Sequence, residues 1–279
     1  MDTKVALVTG TSSGIGMHAA VHLAQAGFRV FATMRDTGKS AALLDLASRA
    51  DVTVEIKRLD VQDGASIGRC VTEVVQAGGR IDVLVNNAGS GFLGTLEETS
   101  LENLRAVMDV NFTGVWRTTQ AVLPGMRERK SGRIISITSV GGLIGQPFND
   151  AYCAAKFAVE GMMESLAPVV SRLGVHVCLI EPGPVNTEFV AAVRQKRAVA
   201  SAVPAYDAML RAYLAGTQQA FASIGQTGAD IAQVIVEAAT AAEPNFRYAT
   251  SDAVRGLLAR KYVDTTGNSV LGLSGARLP

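Results

Sequence analysis

The sequence is poor in the features that mark secreted, membrane-spanning and nucleic-acid-binding proteins. Its 3 cysteines are widely spaced and odd in number, which favours reduced thiols in a cytoplasmic protein over a disulfide framework. No apolar run approaches the ~18 residues of a membrane span. Residues 1–4 lead straight into a predicted strand, without the apolar core of a signal peptide. We therefore expect a cytoplasmic protein without a membrane span.

An excess of charge of one sign is also missing. The 26 Lys and Arg residues face 25 Asp and Glu residues, for a formal net charge of +1, so a nucleic acid partner is not expected. Of the 279 residues, 48% are hydrophobic, which is enough for one large core. No internal repeat or linker interrupts the pattern. We predict a single domain over residues 1–279.

A glycine-rich loop lies between the first predicted strand and the first predicted helix. Residues 4–9 are a β-branched run, and GTSSGIG follows before a helical pattern that ends near Ala26, with Gly27 as its cap. Glycines permit a tight turn and let backbone N–H groups approach a pyrophosphate at the helix amino terminus. The residues expected to hold a dinucleotide here are Gly10, Ser12, Ser13, Gly14, Ile15 and Gly16.

The residues after the second predicted strand, 29–33, bear on the choice of dinucleotide. An acidic side chain there binds the ribose hydroxyls of NAD, whereas an arginine accommodates the 2′-phosphate of NADP. Arg35 comes first, so we favour NADP(H), with Ser12 as a second phosphate ligand. Asp36 keeps NAD(H) as an alternative, because its distance from Gly16 fits the acidic position of NAD-binding folds.

Two further strands end in polar residues. The strand 52–59 ends at Asp60, whose carboxylate either reaches an adenine amino group or caps a helix, as Asp63 is expected to do. The strand 81–85 ends in amides and small residues that let a flat ring lie close to the backbone, although such residues are also common in turns. The candidate nucleotide contacts at these strand ends are Asp60, Val61, Asn87, Ala88 and Gly89.

Tyr152 and Lys156 are the candidate catalytic pair. On a helix predicted over 151–172 they lie one turn apart, about 6 Å along the axis and on one face. The ammonium would lower the pKa of the tyrosine from its ordinary ~10. An isolated pair of this kind is more often a surface feature, but Ser139 follows the buried strand 133–138. Its hydroxyl would lie at a carboxyl end, where open α/β sheets bind ligands.

A long helix is predicted over 101–122, with Thr99 or Ser100 as its cap and Asn111 at its centre. A buried amide needs hydrogen-bond partners, so Asn111 either holds a water near the site or is a satisfied core residue. His18 and His22 have the i, i+4 spacing of metal ligands, but no third ligand accompanies them. We therefore predict no metal site.

The repeated alternation of strands and helices predicts the fold class. We expect an α/β protein with a Rossmann-like, doubly wound parallel sheet of about seven strands and helices on both faces. The later strands are predicted over 175–180 and 246–249, with a helix capped by Asp230 between them. Backbone amides and a hydroxyl after the sixth strand suit a carboxamide. The contacts expected there are Pro182, Gly183, Val185 and Thr187.

Two stretches near the candidate site are predicted to move or to cover it. Residues 141–147 form a glycine-rich loop of mobile character between Ser139 and Tyr152. Residues 188–228 are Ala-rich and amphipathic, which is typical either of a lid over an apolar pocket or of a helical pair on the domain surface. The apolar anchors of this segment are Val190, Val193, Tyr206, Met209, Tyr213 and Phe221.

Taken together, these motifs resemble those of the short-chain dehydrogenase/reductase family over nearly the whole chain. The motifs in order are TGxxxGIG at residues 9–16, Asp60-Val61, NNAG at residues 86–89, Asn111, Ser139, YxxxK at residues 152–156 and Pro182-Gly183. Within the family, residues 31–35 (FATMR), 141–143 (GGL), 147–154 (PFNDAYCA) and 156–161 (KFAVEG) are similar to the branch of 17β-hydroxysteroid dehydrogenase type 1 and retinol dehydrogenases.

The resemblance implies hydride transfer between a nicotinamide and a carbonyl or alcohol carbon. In the family's pattern, Tyr152 gives or takes the hydroxyl proton and Ser139 holds the substrate oxygen. Lys156 binds the nicotinamide ribose and lowers the pKa of Tyr152, and Asn111 positions a relay water. Relatives usually pair the helices that contain Asn111 and Lys156, which implies a homodimer or homotetramer.

The expected function is an NADP(H)-dependent oxidoreductase for a hydrophobic ketone or secondary alcohol, hydroxysteroid-like or similar. In steroid-active relatives a polar contact is expected near Gly216, where this chain offers Gln218 and Gln219 nearby. One alternative is a 3-oxoacyl-thioester reductase, which favours a basic patch such as Arg127, Arg129 and Lys130. Another is a non-catalytic NADP-sensing protein. The complete set of catalytic residues disfavours the sensor.

Overall fold

Seven parallel strands form the central sheet of the computed structural model, which describes residues 3–188, 203–259 and 264–268. The strands are β1 (Val5–Thr9), β2 (Arg29–Met34), β3 (Glu55–Arg58), β4 (Val83–Asn86), β5 (Gly132–Ile137), β6 (Val175–Glu181) and β9 (Arg247–Ala249), with a separate two-stranded pair, β7 (Val185–Asn186) and β8 (Gln226–Thr227). The order across the main sheet is β3-β2-β1-β4-β5-β6-β9. This confirms the predicted fold class.

Helices cover both faces of the sheet. They are α1 (Gly14–Gln25), α2 (Ala41–Arg49), α3 (Gly64–Gly78), α4 (Leu101–Met108), α5 (Gly114–Glu128), α6 (Asp150–Ser171), α7 (Asp207–Ile224), α8 (Gly228–Thr240) and α9 (Asp252–Ala259). Buried residues of α1, α2 and α8 pack on one face, and those of α3, α5 and α6 pack on the other. The β-branched run of β1 is buried along its whole length because apolar side chains meet it from both faces.

The strand order reverses between β1 and β4. From β1 the chain moves outward to β2 and β3, and then crosses back to β4, which pairs with β1 from Ala6↔Val83 to Val8↔Val85. A crevice opens at the carboxyl ends of strands at such a switch point, and ligands of open α/β sheets bind there. The loops after β1, β4 and β5 therefore meet at one edge.

The helix predicted over 101–122 is divided. Ser100 caps α4 by accepting a hydrogen bond from the Asn103 amide at 3.1 Å, as one of the two predicted caps. A π turn over Asp109–Thr113 then separates α4 from α5, which continues to Glu128. Asn111 lies inside this π turn, whose longer hydrogen-bonded ring accommodates one extra residue.

Other predicted bounds are corrected by the structure. β3 starts at Glu55 rather than at residue 52, and the pair β7 and β8 was not predicted. The cap of α8 is Thr227, and Asp230 acts as the reciprocal partner in a capping box. The stretch expected to be a mobile loop after β5 instead begins with a 3₁₀ turn, Val140–Gly142, packed with Leu143 against α9.

Candidate functional site

The glycine loop after β1 is held against the loop after β4. The Thr9 hydroxyl accepts hydrogen bonds from the backbone amides of Asn87 and Ala88, each at 3.0 Å. The Asn87 side chain donates to the carbonyls of Thr9 and Gly10, each at 2.9 Å. Because Asn87 is committed to these bonds, it shapes the crevice through the backbone around it. Thr9 entered the sequence prediction only as a strand residue and as the first residue of the TGxxxGIG motif.

Two glycines of the loop leave no room for a side chain. A Cβ on Gly16 would lie 2.3 Å from both Asn87 Nδ2 and the Gly10 oxygen. Gly10 has a φ of +71°, and a Cβ there would lie 2.7 Å from Ala88 Cα. The backbone therefore closes tightly on itself beneath the amino terminus of α1, which is the arrangement that favours a pyrophosphate.

The serines of the loop and the segment above it complete this part of the crevice. Ser12 is half-buried. Ser13 is exposed and precedes α1, and its hydroxyl makes no capping hydrogen bond. A Cβ on Gly14 would lie 3.3 Å from Thr187, so the segment after β6 passes directly over the loop. Val185 of this segment is buried, and the Pro182 carbonyl accepts from the Val140 amide at 2.8 Å.

Arg35 and Asp36, which bear on the choice of dinucleotide, differ in their hydrogen-bond partners. Arg35 is exposed at the end of β2 and has no hydrogen bond or ion pair among the described residues. Asp36 caps the 3₁₀ turn Thr37–Lys39, and its Oδ1 accepts from the Gly38 amide at 3.0 Å. The carboxylate is thus turned toward its own loop, whereas the guanidinium is available.

The end of β3 places Asp60 and Val61 at the same edge. Asp60 Oδ1 accepts from the Gln62 amide at 3.0 Å, so the carboxylate closes a turn of its own loop. Asp63 caps α3 as predicted, with the Ala65 amide as donor at 2.8 Å. Val61 is buried against Gly114, where a Cβ would lie 2.9 Å away. Asp60 is therefore not the cap of α3, and its contact with an adenine amino group stays a prediction.

Ser139, Tyr152 and Lys156 converge at the carboxyl end of β5. Ser139 is extended, and its Oγ accepts from the Gly141 amide at 3.0 Å and is hydrogen-bonded to Tyr152. Tyr152 lies in the first turn of α6, and Lys156 follows one turn later. The Lys156 Nζ donates to the Ile137 carbonyl at 2.8 Å and lies 5.8 Å from the centre of the Tyr152 ring.

Burial governs the protonation of this pair. It raises the pKa of Tyr152 to about 12, although the hydrogen bond with Ser139 acts in the lowering direction. It lowers the pKa of Lys156 to about 8, although the Glu160 carboxylate acts in the raising direction. The net direction for the pKa of Tyr152 is therefore opposite to the predicted one, because the loss of water outweighs the hydrogen bond with Ser139.

The Asn111 amide is fully engaged. Its Oδ1 accepts from the Ser90 amide at 3.1 Å, and its Nδ2 donates to the carbonyls of Ser90 and Val107 at 2.9 and 3.0 Å. The side chain is 0% exposed and ties the π turn to the loop after β4. Of the two alternatives for its side chain, that of a satisfied core residue fits this geometry. A Cβ on Gly89 would lie 2.9 Å from Asn111 Oδ1 and 4.0 Å from Lys156 Nζ.

The helix α7 contacts the residues just before α6 through Tyr213. The Tyr213 hydroxyl accepts from Asn149 Nδ2 at 2.8 Å, and its ring lies 5.5 Å from that of Phe148. Asn149 immediately precedes α6, and it entered the sequence prediction only as part of a longer motif. Gly216 faces open space. Two of the predicted lid anchors, Val190 and Val193, lie outside the described residues.

A second polar cluster lies on the far side of Lys156 and was missed by the sequence reasoning. The Arg247 guanidinium meets three carboxylates, those of Glu160, Glu164 and Glu181. These residues come from three elements and share no motif, so spacing alone carries no signal of the cluster.

Neither a metal site nor a membrane span is found in the part of the chain that the structure describes. His18 and His22 stack edge to face at 6.3 Å between ring centres, and no group of three or more His, Cys, Asp and Glu side chains could hold a metal ion there. None of the described helices is both long and apolar enough to cross a membrane.

The chain is similar to curated dehydrogenases over almost its whole length. A family model described as short chain dehydrogenase matches residues 4–198. Human 17-beta-hydroxysteroid dehydrogenase type 1 is 40% identical, over 96% of this chain and 84% of the relative. Retinol dehydrogenase 8 from Bos taurus is 39% identical, over 95% of this chain and 87% of the relative.

Solved structures share the fold. A short-chain dehydrogenase from Streptomyces avermitilis is 34% identical with a TM-score of 0.79, over 93% of this chain and 92% of that one. An actinorhodin polyketide ketoreductase with NADPH is 32% identical, with a TM-score of 0.75 and coverages of 89% and 97%. A Burkholderia phymatum enzyme in complex with NAD is 29% identical, with a TM-score of 0.78 and coverages of 92% and 92%.

The glycine cradle, the convergence of Ser139, Tyr152 and Lys156, and these similarities agree on the class of protein. A nicotinamide dinucleotide fits the crevice, since the tightly closed glycine loop lies at the amino terminus of α1, where a pyrophosphate is favoured. The chain belongs to the short-chain dehydrogenase/reductase family, in the branch of the 17β-hydroxysteroid and retinol dehydrogenases, and is an oxidoreductase that acts on CH–OH groups.

Proposed function

We propose that this chain interconverts a hydrophobic ketone and its secondary alcohol with NADP(H). The observation that carries the proposal is the hydrogen-bonded pair Ser139 and Tyr152 with Lys156 one turn behind it, at the mouth of the glycine cradle. A general acid must lie within hydrogen-bond reach of the reacting oxygen, and both hydroxyls share that position. The relatives named above act on a hydroxysteroid and on retinol by their names, which supports a bulky apolar substrate.

In the proposed mechanism, Ser139 holds the substrate oxygen and Tyr152 exchanges the proton at its Oη. Because burial raises the pKa of Tyr152 to about 12, the phenol is protonated at neutral pH and is ready to donate when a carbonyl is reduced. Oxidation of an alcohol needs the phenolate, which the Lys156 ammonium favours. Asn111 fixes the loop after β4 beside the site through its hydrogen bonds with Ser90. We also propose that Asn111 positions a relay water there.

The dinucleotide would be held by the cradle and the segments around it. The bound nicotinamide supplies or accepts the hydride. The residues proposed to hold the dinucleotide are Gly10, Ser12, Ser13, Gly14, Ile15, Gly16, Arg35, Asp60, Val61, Asn87, Ala88, Gly89, Tyr152, Lys156, Pro182, Gly183, Val185 and Thr187. Lys156 reaches the nicotinamide ribose in this arrangement, from a position 4.0 Å from where a Cβ on Gly89 would lie.

NADP(H) is proposed over NAD(H) on the contrast between Arg35 and Asp36. The Arg35 guanidinium is unengaged among the described residues, and a phosphate monoester is its natural charge-assisted partner. The Asp36 carboxylate accepts from the Gly38 amide through Oδ1, which uses part of its acceptor capacity within its own loop. Family members with NADPH and with NAD are both known among the similar structures, so the choice lies with these residues.

Residues 188–228 are proposed to cover the substrate. The described part of this segment supports a cover, because Tyr213 contacts Phe148 and Asn149 at the start of the catalytic helix. A second hydrogen bond ties this segment down, because the Tyr206 hydroxyl donates to Glu97 at 2.8 Å. We also propose a homodimer or homotetramer through α5 and α6, which leave Trp116, Phe157 and Val169 exposed. A single domain and a cytoplasmic location complete the proposal.

The thioester alternative receives less support. Of its candidate basic patch, Arg127 pairs with Glu128 and Arg129 donates to the Ile81 carbonyl at 2.7 Å. Both guanidiniums are therefore engaged locally rather than presented to a carrier phosphate.

The test is oxidation of NADPH and NADH, followed at the nicotinamide absorbance, over a panel of steroid ketones, retinal, aromatic ketones and an acyl-thioester analogue. The expected result is turnover of an apolar ketone with NADPH. Turnover confined to the thioester would replace the proposed substrate class. Tight NADPH binding with no turnover of any compound would leave only a sensor.

A further inference from the structure

One arginine behind the catalytic edge binds three carboxylates. Arg247, the first residue of β9, donates from Nη1 to Glu181 Oε1 at 2.8 Å and to the Glu160 carboxylate, and from Nη2 to Glu164 Oε2 at 2.7 Å. Glu160 and Glu164 lie one turn apart on α6, and Glu181 is the last residue of β6. These four residues are called the arginine cluster below.

The arginine cluster has more acids than its cation can neutralise. Glu160 is 4% exposed and Glu181 is 0% exposed, and both meet the same Nη1. Two buried carboxylates at one donor cannot both be charged without a large cost, so they share a proton. Glu160 Oε1 and Glu181 Oε2 have no hydrogen-bond partner among the described residues, so neither oxygen is stabilised there as part of an anion. The Thr138 hydroxyl donates to the Ile180 carbonyl at 3.1 Å and also acts to lower the pKa of Glu160, but burial outweighs it and the net direction is upward.

With one shared proton, the net charge of the arginine cluster is equal and opposite to the charge of Lys156. Arg247 contributes one positive charge, the pair Glu160 and Glu181 one negative charge, and Glu164 another, so the arginine cluster carries one net negative charge. Lys156 contributes one positive charge, which makes the buried group neutral as a whole. Consistent with a shared proton, burial raises the pKa of Glu181 to about 8 and also raises that of Glu160.

Glu160 is the member of the cluster that lies nearest to Lys156 along α6. It lies one turn further along α6, where side chains four residues apart are neighbours. The 3₁₀ turn after Ser139 covers both residues, since a Cβ on Gly142 would lie 3.2 Å from Glu160 Cγ and from Lys156 Cβ.

The other elements around Lys156 present no charge of their own among the described residues. β5 offers the Ile137 carbonyl, the loop after β4 offers Gly89, the π turn offers the Asn111 amide, and α6 adds the Tyr152 phenol. Glu160 is accordingly the charged side chain that acts on Lys156, and Arg247, Glu164 and Glu181 act on Glu160 in turn.

We propose that Glu160 is a positioning residue of the catalytic site, which together with Arg247 and Glu181 holds one shared proton and keeps Lys156 positively charged. The inference rests on the proposed roles of Tyr152 and Lys156. In Glu160→Gln the negative charge of the pair moves to Glu181 on β6 and no longer lies one helical turn from Lys156. Lys156 then loses its proton at lower pH, and Tyr152 loses the cation that favours its phenolate. Alcohol oxidation therefore shifts to higher pH, whereas cofactor affinity falls off at lower pH.

The test compares Glu160→Gln with Glu164→Gln, a matched variant that removes a carboxylate from the same guanidinium two turns away from Lys156. NADPH affinity is measured by its fluorescence from pH 6 to 10, which requires no substrate. In Glu160→Gln, the pH at which affinity falls should drop by about one unit, the effect of one neighbouring charge. In Glu164→Gln it should stay at the wild-type value. Glu160→Asp keeps the carboxylate, so the pH at which NADPH affinity falls should return most of the way to the wild-type value.

A second readout is the pH profile of kcat for oxidation of 17β-estradiol with NADP⁺, which should move upward in Glu160→Gln only. Equal profiles in wild type and Glu160→Gln, or equal shifts in both glutamine variants, would overturn the inference. If Glu160→Gln does not fold, Glu181→Gln serves instead, because it leaves the charge on Glu160. A downward shift of NADPH affinity in that variant would also refute the proposal. Activity retained in Tyr152→Phe would sink the proposed function alone, since the binding profile does not depend on turnover.

Discussion

The nucleotide end and the catalytic end of this site are built from different parts of the chain. At the nucleotide end, Gly10 and Gly16 bring backbones within contact distance, and the Thr9 hydroxyl fixes two loops with neutral hydrogen bonds. At the catalytic end, Tyr152, Lys156 and the arginine cluster place ionisable side chains in series, of which Lys156, Glu160 and Glu181 are buried and the others are half-buried. One end depends on the absence of side chains, and the other depends on their charge.

The difference teaches that the two ends should fail in different ways. A backbone cradle fails sterically, in an all-or-none manner that pH does not relieve, because close-packed atoms have nowhere to move. A series of buried charges fails gradually and with a pH dependence, since each group sets the protonation of the next. Four substitutions, taken from the largest expected effect to the smallest, can break or sharpen this contrast.

Tyr152→Phe should have the largest effect on activity. It removes the proton donor while keeping the ring, so kcat should fall by about 10³-fold, within the range of general acid–base catalysis. NADPH affinity should hardly change. Tyr206→Phe is the matched control, because it also removes a phenolic hydroxyl but one that contacts Glu97 at the surface. Steady-state kinetics that show near-normal activity in Tyr152→Phe would remove this residue from the mechanism.

Gly16→Ala should break the nucleotide end by sterics alone. The new methyl would lie 2.3 Å from Asn87 Nδ2 and the Gly10 oxygen, which costs about 1–3 kcal/mol of stability if the loop yields. NADPH binding should fall by the same factor at every pH. Gly68→Ala in α3 is the control, since its Cβ meets nothing within 4 Å and should slightly stabilise the helix. Unchanged binding and melting temperature in Gly16→Ala would contradict the cradle.

Arg35→Ala should change the choice of dinucleotide rather than activity as such. Losing a charge-assisted contact of about 1.5–3 kcal/mol should weaken NADPH by about 10- to 100-fold. NADH, which has no 2′-phosphate, should be affected little. Dissociation constants of both dinucleotides for wild type, Arg35→Lys and Arg35→Ala check this. Equal losses for NADPH and NADH would show that Arg35 contacts something other than the phosphate.

Glu181→Gln should have the smallest effect, and it should appear only as pH rises. Burial raises the pKa of Glu181 from its ordinary 4.5 to about 8, so the folded chain binds this proton more tightly than the unfolded chain. The associated stability is complete below about pH 4.5 and is lost as the pH rises through about 8. Glutamine imitates the protonated acid, so this variant should melt a few degrees above wild type at pH 9 and close to it at pH 5. Parallel melting curves for the two proteins would show that Glu181 is ionised throughout.

The sequence predicted the strand, loop and helix of the nucleotide end because glycine spacing is a local signal. The strand, the GTSSGIG loop and the helix after it follow one another directly, so their order specifies the cradle. Ser139, Tyr152 and Lys156 were also found, because a strand end and one helical turn bring them together. In each case the interacting residues lie within about twenty positions, or at the ends of neighbouring strands.

What the sequence did not predict depends on distant contacts. The π turn forms where Asn111 bonds Ser90, a partner in another loop, so the periodicity of residues 101–122 shows only a helix. The direction of the Tyr152 pKa depends on burial, which the spacing of Tyr152 and Lys156 does not reveal. The arginine cluster joins α6, β6 and β9, and no local pattern couples Arg247 to Glu160.

The π turn also has a geometric consequence for the helices on either side of it. An α-helix advances by about 100° per residue, so one extra residue turns everything after it by that angle. Before the turn, Val107 faces Ala151 and Ala155 on the catalytic helix, and after it Val115 and Met126 face the sheet. The extra residue thus rotates α5 relative to α4 about the helix axis. As a result, α4 packs against α6, and α5 packs in the core against the sheet.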